Sequence, residues 1–292
     1  MKIGFLMTID PETSGGIFQY AMAMLKALQK LNTDNFKLVI FTYNKKIINS
    51  KYKLEIREIN RPVQSFKEKL KRILFLLTDN NLIRKSIKIS SLEKYQDIDL
   101  FISPFINPYP AIYLNKKLIF TLHDLQFKRL PQFFPIYKRI YFHLVLKKLC
   151  NFCNSIICEA PSVKKDIEFF YKVKSAKIKI IPSPPILKKE KNKKYTTKSS
   201  PIHKKRYIFY PANTWEHKNH IRLIKAFRLI NQKDKNIYLF FTGAKTNHYK
   251  NISKLINKYS LHDRIFHFGR VNDNELINLY LNAELLIIPS LF

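Results

Sequence analysis

YIFYPANTWEHKNHIRLIKAF, residues 207–227, has the pattern of a β-strand, a loop and an α-helix in succession. Its first four residues are aromatic or β-branched, which is typical of a strand, and Pro211 ends that strand. Beyond the polar loop, apolar residues recur at helical spacing from Ile221 onward. A cationic loop that leads into a helix places Lys218 beside N-terminal amides that attract anions, so the pattern predicts a phosphate site.

The rest of the second half repeats this alternation of short apolar strands and amphipathic helices. Such alternation predicts a parallel sheet with right-handed crossovers, whose ligands bind at the carboxyl ends of the strands. The predicted strands are 207–210, 237–242, 265–268 and 285–288, and the predicted helices are 220–230, 250–259 and 274–282.

The first half of the chain follows the same pattern, which predicts a second sheet of the same kind. Its predicted strands are 2–7, 36–43, 53–59, 98–103, 118–122, 155–158 and 178–181, and its predicted helices are 17–31, 65–77, 82–92, 136–149 and 162–171. Between the halves, a proline-rich run and a segment dominated by lysine, threonine and serine predict a solvated linker. We therefore expect an α/β protein with two Rossmann-like domains, residues 1–185 and 207–292, joined by a linker at 186–206. A ligand cleft is expected between the strand ends of the two domains.

In order and spacing, these motifs resemble those of the group 1 glycosyltransferases, retaining enzymes with two Rossmann-like domains (the GT-B fold). In that family the strand is followed by a lysine-asparagine pair whose lysine contacts the donor's diphosphate, and the matching pair here is Lys218-Asn219. The resemblance implies transfer of a sugar from a nucleotide-diphosphate sugar to a hydroxyl acceptor, with retention of configuration and without a cofactor or an obligatory metal. The implied acceptor is a bacterial surface polysaccharide or a lipid-linked glycan.

The resemblance also bears on the last residues of the sequence. In the family, a Glu-Gly-Phe-Gly segment and a further glutamate follow the strand and its Pro-Ser, here Pro289-Ser290, and these acidic residues hold the donor's sugar and ribose. The sequence stops before them, and its second half is short for such a domain. We therefore expect a truncated chain with an incomplete C-terminal domain and without measurable transferase activity.

Two groups of residues in the first half are candidates for the site. Gly15-Gly16 lies where the first strand gives way to the first helix, where missing side chains either admit a ligand or serve a tight turn. His123 lies at the end of the fifth strand, and the resemblance implies that it faces the transferred sugar as a catalytic hydrogen-bonding residue. The alternative is a structural histidine. Asp124 beside it is expected to orient a loop or to help hold the acceptor.

Three more residues complete the predicted donor-binding set. Gly243 follows a strand that ends in a glycine in relatives also. The resemblance implies that backbone groups of Arg270 and Val271 contact the nucleotide, while residues 272–275 cap the next helix. The predicted catalytic residues are His123 and Lys218, and the predicted donor-binding residues are Gly15, Gly16, Lys218, Asn219, Gly243, Arg270 and Val271.

The composition leaves two explanations for a net charge of +32. One is a phosphate-rich partner, and the other is a coding bias toward lysine. Only 11 of the 53 cations are arginine, the residue that nucleic-acid readers prefer, so we expect no nucleic-acid partner. Cys150 and Cys153 form a C-x-x-C without a second ligand pair, which disfavours zinc. Cys158 lies in an apolar strand-like run, which indicates a buried thiol, and a reducing compartment fits best.

The sequence predicts a cytoplasmic protein. Residues 1–7 are too short for the apolar core of a signal peptide, and no uncharged run approaches the roughly 20 residues of a spanning helix. The aromatic and basic segment 133–149 has two interpretations. It either packs as a core helix with a solvated cationic face or lies on the inner face of an anionic membrane as a peripheral contact.

Two other functions remain open on sequence grounds. One is a nucleotide-sugar epimerase of the same architecture, which would need cleft carboxylates of which few are evident. The other is an inactive fragment that binds nucleotides or glycans, which the missing segment makes realistic.

Overall fold

The computed structural model describes residues 1–9, 11–31, 35–47, 54–183 and 205–292. Most of the predicted linker, residues 186–204, lies outside these ranges. The chain divides into two compact units, Met1–Ile186 and Leu187–Phe292.

Unit 1 is built on a parallel sheet, and its described residues form seven strands and seven α-helices. The strands are β1 (Lys2–Met7), β2 (Lys37–Thr42), β3 (Glu55–Glu58), β4 (Leu100–Ser103), β5 (Lys117–Thr121), β6 (Ser155–Cys158) and β7 (Ile178–Ile180). The helices are α1 (Pro11–Lys30), α2 (Phe66–Thr78), α3 (Asn81–Ser86), α4 (Ala111–Leu114), α5 (Gln126–Arg129), α6 (Ile136–Phe152) and α7 (Pro161–Tyr171).

The strand order of unit 1 is β3-β2-β1-β4-β5-β6-β7, with all neighbours parallel. Both faces of the sheet are packed, because one apolar cluster contains Phe41, Phe101 and Phe120 and another contains Phe5 and Ile40. Burial on both faces explains why these strands are continuously apolar instead of alternating. The order reverses between β1 and β4, and a crevice for ligands forms at such a point.

Unit 2 has a smaller parallel sheet. Its described strands are β8 (Arg206–Pro211), β9 (Ile237–Thr242), β10 (Ile265–His267) and β11 (Leu285–Leu286), in the order β10-β9-β8-β11. Its helices are α8 (His220–Lys233), α9 (Tyr249–Lys258) and α10 (Asp273–Leu281). Residues of β8 and β9 alternate between two apolar clusters, so that Tyr210 and Phe241 pack on one face and Tyr207 and Phe240 on the other.

Several predicted elements differ from the observed ones, and three of them show why. Helix α1 begins at Pro11 and not at residue 17, and Gly15, with φ 16° and ψ −94°, interrupts it. The predicted helix 82–92 is only α3, because Ile87 takes an extended conformation, and a 3-10 turn follows at Leu92–Tyr95. The predicted strand 285–288 is limited to β11, although the Ile287 amide still donates to the Phe209 carbonyl at 3.0 Å.

The described helices include none with the length and apolar character that a membrane span requires.

Candidate functional site

Unit 2 has a switch point in its strand order between β8 and β11, where ligands of such sheets bind. The loop after β8, residues 212–219, is fixed on both sides of this point. On one side, Asn219 Nδ2 donates to the Pro289 carbonyl at 3.0 Å. On the other, the Thr214 amide donates to the Ala244 carbonyl at 3.0 Å, which joins the loops after β8 and β9. The loop is therefore held by its neighbours on both sides before any ligand arrives.

Gly243 is the point where the loops after β8, β9 and β10 come closest. Its φ is +111°, a value that side-chain-bearing residues rarely adopt, and a Cβ there would lie 2.7 Å from backbone atoms of Ala212 and Asn213. Its amide donates to the Gly269 carbonyl at 2.8 Å. Glycine is thus required here for close backbone packing, and its predicted contact with a donor stays a prediction.

Lys218 ends a 3-10 turn (Glu216–Lys218), two residues before the first residue of α8. Its backbone carbonyl accepts a hydrogen bond from the Tyr210 hydroxyl at 2.8 Å, and that hydroxyl lies 3.1 Å from Ser290 Oγ across the switch point. The described part of the chain offers the Lys218 ammonium no hydrogen-bond or ion-pair partner. No side chain caps α8, and its first turn contains no acidic residue. An uncompensated cation beside uncapped helix amides suits an anion, and the predicted phosphate contact of Lys218 stays a prediction.

The structure also places the predicted donor-binding residues Asn219, Arg270 and Val271. Asn219 adopts the left-handed conformation (φ 61°), and its amide group contacts the chain itself. Arg270 is exposed, whereas Val271 packs against the apolar cluster on one face of the sheet. The predicted helix cap is confirmed, because Asn272 and Glu275 form a reciprocal capping box at the start of α10.

A buried histidine directly follows the loop after β8. His220, the first residue of α8, is fully buried between the rings of Tyr210 and Phe241, with ring centroids 4.8 and 5.1 Å away. Burial, with a smaller contribution from the nearby His267, lowers the pKa of His220 to about 4. Burial likewise lowers the pKa of His267 to about 4. Both rings are therefore neutral at physiological pH.

In unit 1 the corresponding switch point lies between β1 and β4. Asn107 Nδ2, in the loop after β4, donates to Thr8 Oγ1 at 3.3 Å and so joins the two strand ends. The predicted catalytic His123 lies beside this loop, two residues beyond the end of β5. Asp124, its neighbour, accepts a hydrogen bond from the Gln126 amide at 3.1 Å, and this contact orients the loop.

Both ring nitrogens of His123 face oxygen atoms of the chain. Nε2 lies 2.9 Å from the Pro104 carbonyl, which can only accept, so Nε2 carries a hydrogen and donates it. Nδ1 lies 2.7 Å from Glu159 Oε2, just beyond the end of β6. Since an ionised carboxylate also only accepts, a proton must lie between this pair, on either Nδ1 or the carboxyl group. A hydrogen bond from His123 to a sugar would thus replace one of these two contacts.

Aromatic packing completes the surroundings of His123. The ring of Tyr20, on α1, meets the His123 ring edge-on with centroids 4.8 Å apart, and its hydroxyl lies 3.3 Å from Thr121 Oγ1. Gly15 and Gly16 belong to the same helix, and an added Cβ on either would meet nothing within 4 Å. Open space beside both glycines is compatible with ligand approach, and their role stays a prediction.

A cavity of about 450 Å³ has Asn107 in its wall. Arg72 contributes a cation to its wall, with Nη2 donating to the Val63 carbonyl at 2.7 Å and Nη1 buried without a hydrogen-bond partner among the described residues. The cavity is lined by Lys69, Arg72, Asn107, Tyr109, Tyr113 and Tyr141, among others. Aromatic walls with two cations suit an amphiphilic or anionic ligand.

Sequence reasoning missed two residues that the structure brings to these sites. Glu159 follows β6 directly, so its position at the same edge as His123 could have been recognised from the strand pattern. The burial of His220 had no comparable signal, because a histidine at the start of a helix is usually exposed or capping.

The three cysteines are free and buried, which confirms the buried thiol predicted for Cys158. Burial raises the pKa of Cys150 to about 12 and that of Cys153 to about 11, so both are thiols at neutral pH. Among the described residues, no group of three or more histidine, cysteine, aspartate or glutamate side chains could hold a metal ion.

Two parallel α/β units, each with a switch point in its strand order, match the GT-B fold. Residues 14–184 match the family model for Glycosyltransferase Family 4, and residues 191–292 match that for Glycosyl transferases group 1. The chain therefore belongs to the group 1 glycosyltransferases, which confirms the predicted family and fold class.

Relatives and solved structures agree with this assignment. The chain is 26% identical over 188 residues to the O-antigen chain mannosyltransferase RfbU of Salmonella typhimurium, which covers 62% of this chain and 48% of RfbU. It therefore spans about half the length of that relative. Anabaena HepE, solved with UDP and glucose, superposes with a TM-score of 0.67 at 13% identity, over 99% of this chain and 74% of HepE.

The same fold also occurs in an enzyme of a different class. The UDP-GlcNAc 2-epimerase of Methanocaldococcus jannaschii superposes with a TM-score of 0.53 at 14% identity, over 98% of this chain and 78% of the epimerase. The fold alone therefore does not separate transfer from epimerisation.

Proposed function

We propose that the protein transfers a sugar from a nucleotide-diphosphate sugar to a hydroxyl group of a bacterial surface polysaccharide or lipid-linked glycan, with retention of configuration. Membership of the group 1 glycosyltransferases supports the reaction class. The presence of UDP and glucose in HepE supports a nucleotide-sugar donor, and the mannosyltransferase RfbU, which acts on the O-antigen chain, supports the class of acceptor.

The observation that carries the proposal is the uncompensated Lys218 ammonium beside the uncapped start of α8. When the bond between sugar and diphosphate breaks, negative charge grows on the leaving diphosphate. A cation and helix amides that are already in place stabilise this charge in the transition state without reorganising. The Tyr210 hydroxyl holds the backbone carbonyl of Lys218, and Asn219, the next residue, is held by its contact with Pro289 across the switch point.

His123 is the proposed residue of unit 1 that acts on the transferred sugar. Its contacts with Glu159 and the Pro104 carbonyl hold the ring in one orientation. A sugar hydroxyl can take the place of the Pro104 carbonyl as the acceptor of the Nε2 hydrogen, while Glu159 continues to fix Nδ1.

Isothermal titration of nucleotides tests the role of Lys218. The ligands are UDP, GDP, uridine and guanosine, and the variants are Lys218→Ala and Lys225→Ala. Lys225 is an exposed lysine on α8 and serves as the matched control. Because a charge-assisted contact contributes about 1.5–3 kcal/mol, Lys218→Ala should weaken binding of the preferred diphosphate roughly 10- to 150-fold. Nucleoside binding should be unaffected.

Three outcomes would contradict the proposal. The first is an equal loss of nucleoside and diphosphate affinity in Lys218→Ala, and the second is an equal effect of Lys225→Ala. The third is the absence of diphosphate binding by the unaltered protein.

A further inference from the structure

The cavity beside Asn107 is large enough for a small organic ligand. Its volume of about 450 Å³ lies within the range of ligand pockets, and a lone ion would fill only a small part of it. Its wall combines three tyrosines with two cations, and none of the described residues that line it is acidic. Such a wall suits a ligand that has both an apolar surface and a negative charge.

Arg72 provides the buried cation of this cavity. Its Nη2 donates to the Val63 carbonyl at 2.7 Å, which holds the guanidinium in place, whereas Nη1 is buried without a hydrogen-bond partner among the described residues. The acidic residue nearest to it in sequence, Glu68, is engaged elsewhere. One Glu68 oxygen pairs with Lys71 at 2.7 Å, and the other accepts from the Lys88 amide at 2.9 Å. An anionic oxygen from a ligand would therefore satisfy a buried donor that the described chain leaves unpaired.

Three further donors line the same space. The Lys69 ammonium, three residues before Arg72 on α2, has no hydrogen-bond or ion-pair partner within the described residues. In the same described ranges, the hydroxyls of Tyr113 and Tyr141 have no hydrogen-bond partner. Burial raises the pKa of Tyr113, Tyr141 adds to this shift and the charge of Arg72 counteracts it, so these groups lie within electrostatic reach of one another. The cavity thus presents two cations and two hydroxyls to one ligand.

The loop after β4 connects this cavity to the candidate site of unit 1. Asn107, in the cavity wall, accepts from the Tyr109 amide at 3.0 Å and donates to Thr8 Oγ1, just after β1, at 3.3 Å. Pro104, whose carbonyl contacts His123, precedes Asn107 by three residues in the same loop. Since three residues of chain span at most about 11 Å, the cavity wall lies near the ring that is proposed to act on the transferred sugar.

We propose that this cavity binds an acidic sugar residue of the acceptor glycan. The carboxylate or phosphate of that sugar lies between Arg72 Nη1 and the Lys69 ammonium, and its ring lies against the tyrosines, whose hydroxyls bond to the sugar's own hydroxyl groups. A neutral sugar would leave Arg72 without an acceptor, so the cavity selects charged sugars over neutral ones. The role of this sugar as acceptor rests on the proposed function, whereas its binding does not.

Titrations of small sugars followed by protein NMR test the proposal without a donor and without any transfer reaction. The probes are methyl glucuronoside, glucose 6-phosphate, methyl glucoside and inorganic phosphate. At least one of the two charged sugars should bind about tenfold or more tightly than the neutral glucoside, because a charge-assisted hydrogen bond separates them. Whichever charged sugar binds more tightly identifies a carboxylate or a phosphate as the recognised group.

Two lysines of α2 provide matched variants. Lys69→Ala and Lys67→Ala lower the net charge equally, but only Lys69 lines the cavity. Lys69→Ala should weaken binding of the charged sugar about tenfold and leave that of the neutral glucoside unchanged, while Lys67→Ala should change neither. Arg72→Gln should weaken it at least as much. Because Arg72 also holds the Val63 carbonyl, Lys69→Ala decides the test if Arg72→Gln fails to fold.

A tyrosine hydroxyl tests the sugar ring itself. Tyr113→Phe removes a hydroxyl from the cavity wall and keeps the aromatic ring, and Tyr137→Phe, on an exposed ring outside that wall, is the control. Tyr113→Phe should weaken binding of the charged sugar about three- to tenfold, because one hydrogen bond is lost, and should leave that of inorganic phosphate unchanged. Tyr137→Phe should affect neither.

The contrary outcomes are distinct. Equal affinities for charged and neutral sugars, or no binding of either charged sugar, would overturn the proposal. So would equal effects of Lys69→Ala and Lys67→Ala, which would assign the binding to overall charge. Inorganic phosphate that bound as tightly as both charged sugars would show a site for a simple anion, and a loss of UDP affinity in Lys69→Ala would assign the cavity to the nucleotide. If the proposed function alone failed, UDP would not bind the unaltered protein while the charged sugar still did.

Discussion

The two switch points of the molecule differ in how closely the backbone is packed around their glycines. In unit 2 the loops after β8, β9 and β10 are joined by backbone hydrogen bonds and by the side chains of Asn213 and Thr214, and Gly243 sits where no side chain fits. In unit 1 the corresponding edge is held by side chains, through His123, Glu159 and Tyr20, and its glycines have open space around them. Substitutions should therefore damage the fold at the first edge and the chemistry at the second.

The largest expected effect is that of Gly243→Ala. The new methyl group would meet backbone atoms of Ala212 and Asn213 at 2.7 Å, at a φ of +111° that alanine rarely adopts. Since backbone cannot yield as a flexible side chain can, we expect a loss of about 3–4 kcal/mol in the free energy of unfolding of unit 2. Urea unfolding followed by the emission of Trp215, the single tryptophan, measures it.

Gly16→Ala is the matched substitution in unit 1. Nothing lies within 4 Å of the added methyl group, and Gly16 lies inside α1, where alanine is the better helix former. Stability should stay the same or rise slightly. A loss as large as that of Gly243→Ala would mean that the two edges do not differ in the way described.

The next effect is a loss of stability in acid, and it comes from the two buried histidines of unit 2. The pKa of His220 and of His267 is lowered to about 4, against about 6.5 in an unfolded chain. Between these values the unfolded state binds more protons than the folded state. The stabilisation that comes from keeping the two histidines neutral is therefore complete above about pH 6.5 and is lost as the pH falls toward 4. For His220 alone the loss should be about 2–3 kcal/mol at about pH 4.5.

Urea unfolding at a series of pH values measures this loss, with His220→Phe as the test variant. Phenylalanine fills the space between Tyr210 and Phe241 and removes the titrating group, so the acid-induced fall in stability should be markedly smaller. His262→Phe is the control, because His262 is exposed and should leave the slope unchanged. Equal slopes for all three proteins would assign the acid sensitivity to other groups.

Much of the fold could be predicted because each strand is a short apolar run and each helix has an apolar face. The bounds of β1, β6 and β9 agree with the prediction to the residue. The start of α1 was missed because residues 8–16 are polar and contain two glycines, a composition typical of a loop. Helix α3 was overextended because Ile87 and Ile89 continue its apolar spacing, while tertiary packing favours extended backbone there.

The candidate sites were predictable only as positions along the chain. A lysine before a helix or a histidine after a strand can be located from the pattern, since parallel strands end at one edge. What such a residue contacts depends on loops distant in sequence. His123 and Glu159 are 36 residues apart, and Asn219 and Pro289 are 70 apart, so local spacing carries no signal of either hydrogen bond.

The smallest expected effect concerns Glu159. Glu159→Ala removes the partner of His123 Nδ1 but leaves the contact of Nε2 with the Pro104 carbonyl, so the ring loses one of its two fixed points. Because the two side chains keep 19% and 24% of their surface exposed to solvent, we expect a loss of about 1 kcal/mol in the free energy of unfolding, or less. The ¹⁵N signals of the His123 ring should change more clearly, since Nδ1 has lost the Glu159 oxygen as its hydrogen-bond partner.

Asp124→Asn provides the control for this reading of His123. Asp124 is adjacent in sequence, but its carboxylate accepts from the Gln126 amide and not from the ring, and asparagine keeps that acceptor. The ring signals should therefore be the same in Asp124→Asn and in the unaltered protein, and Glu159→Gln should fall between them and Glu159→Ala, because its amide can still donate to Nδ1. If Asp124→Asn shifted the ring signals and Glu159→Ala did not, the neighbouring carboxylate would hold the proton. The His123 ring would then be held by Asp124, its neighbour in sequence, and not by Glu159, which lies after β6.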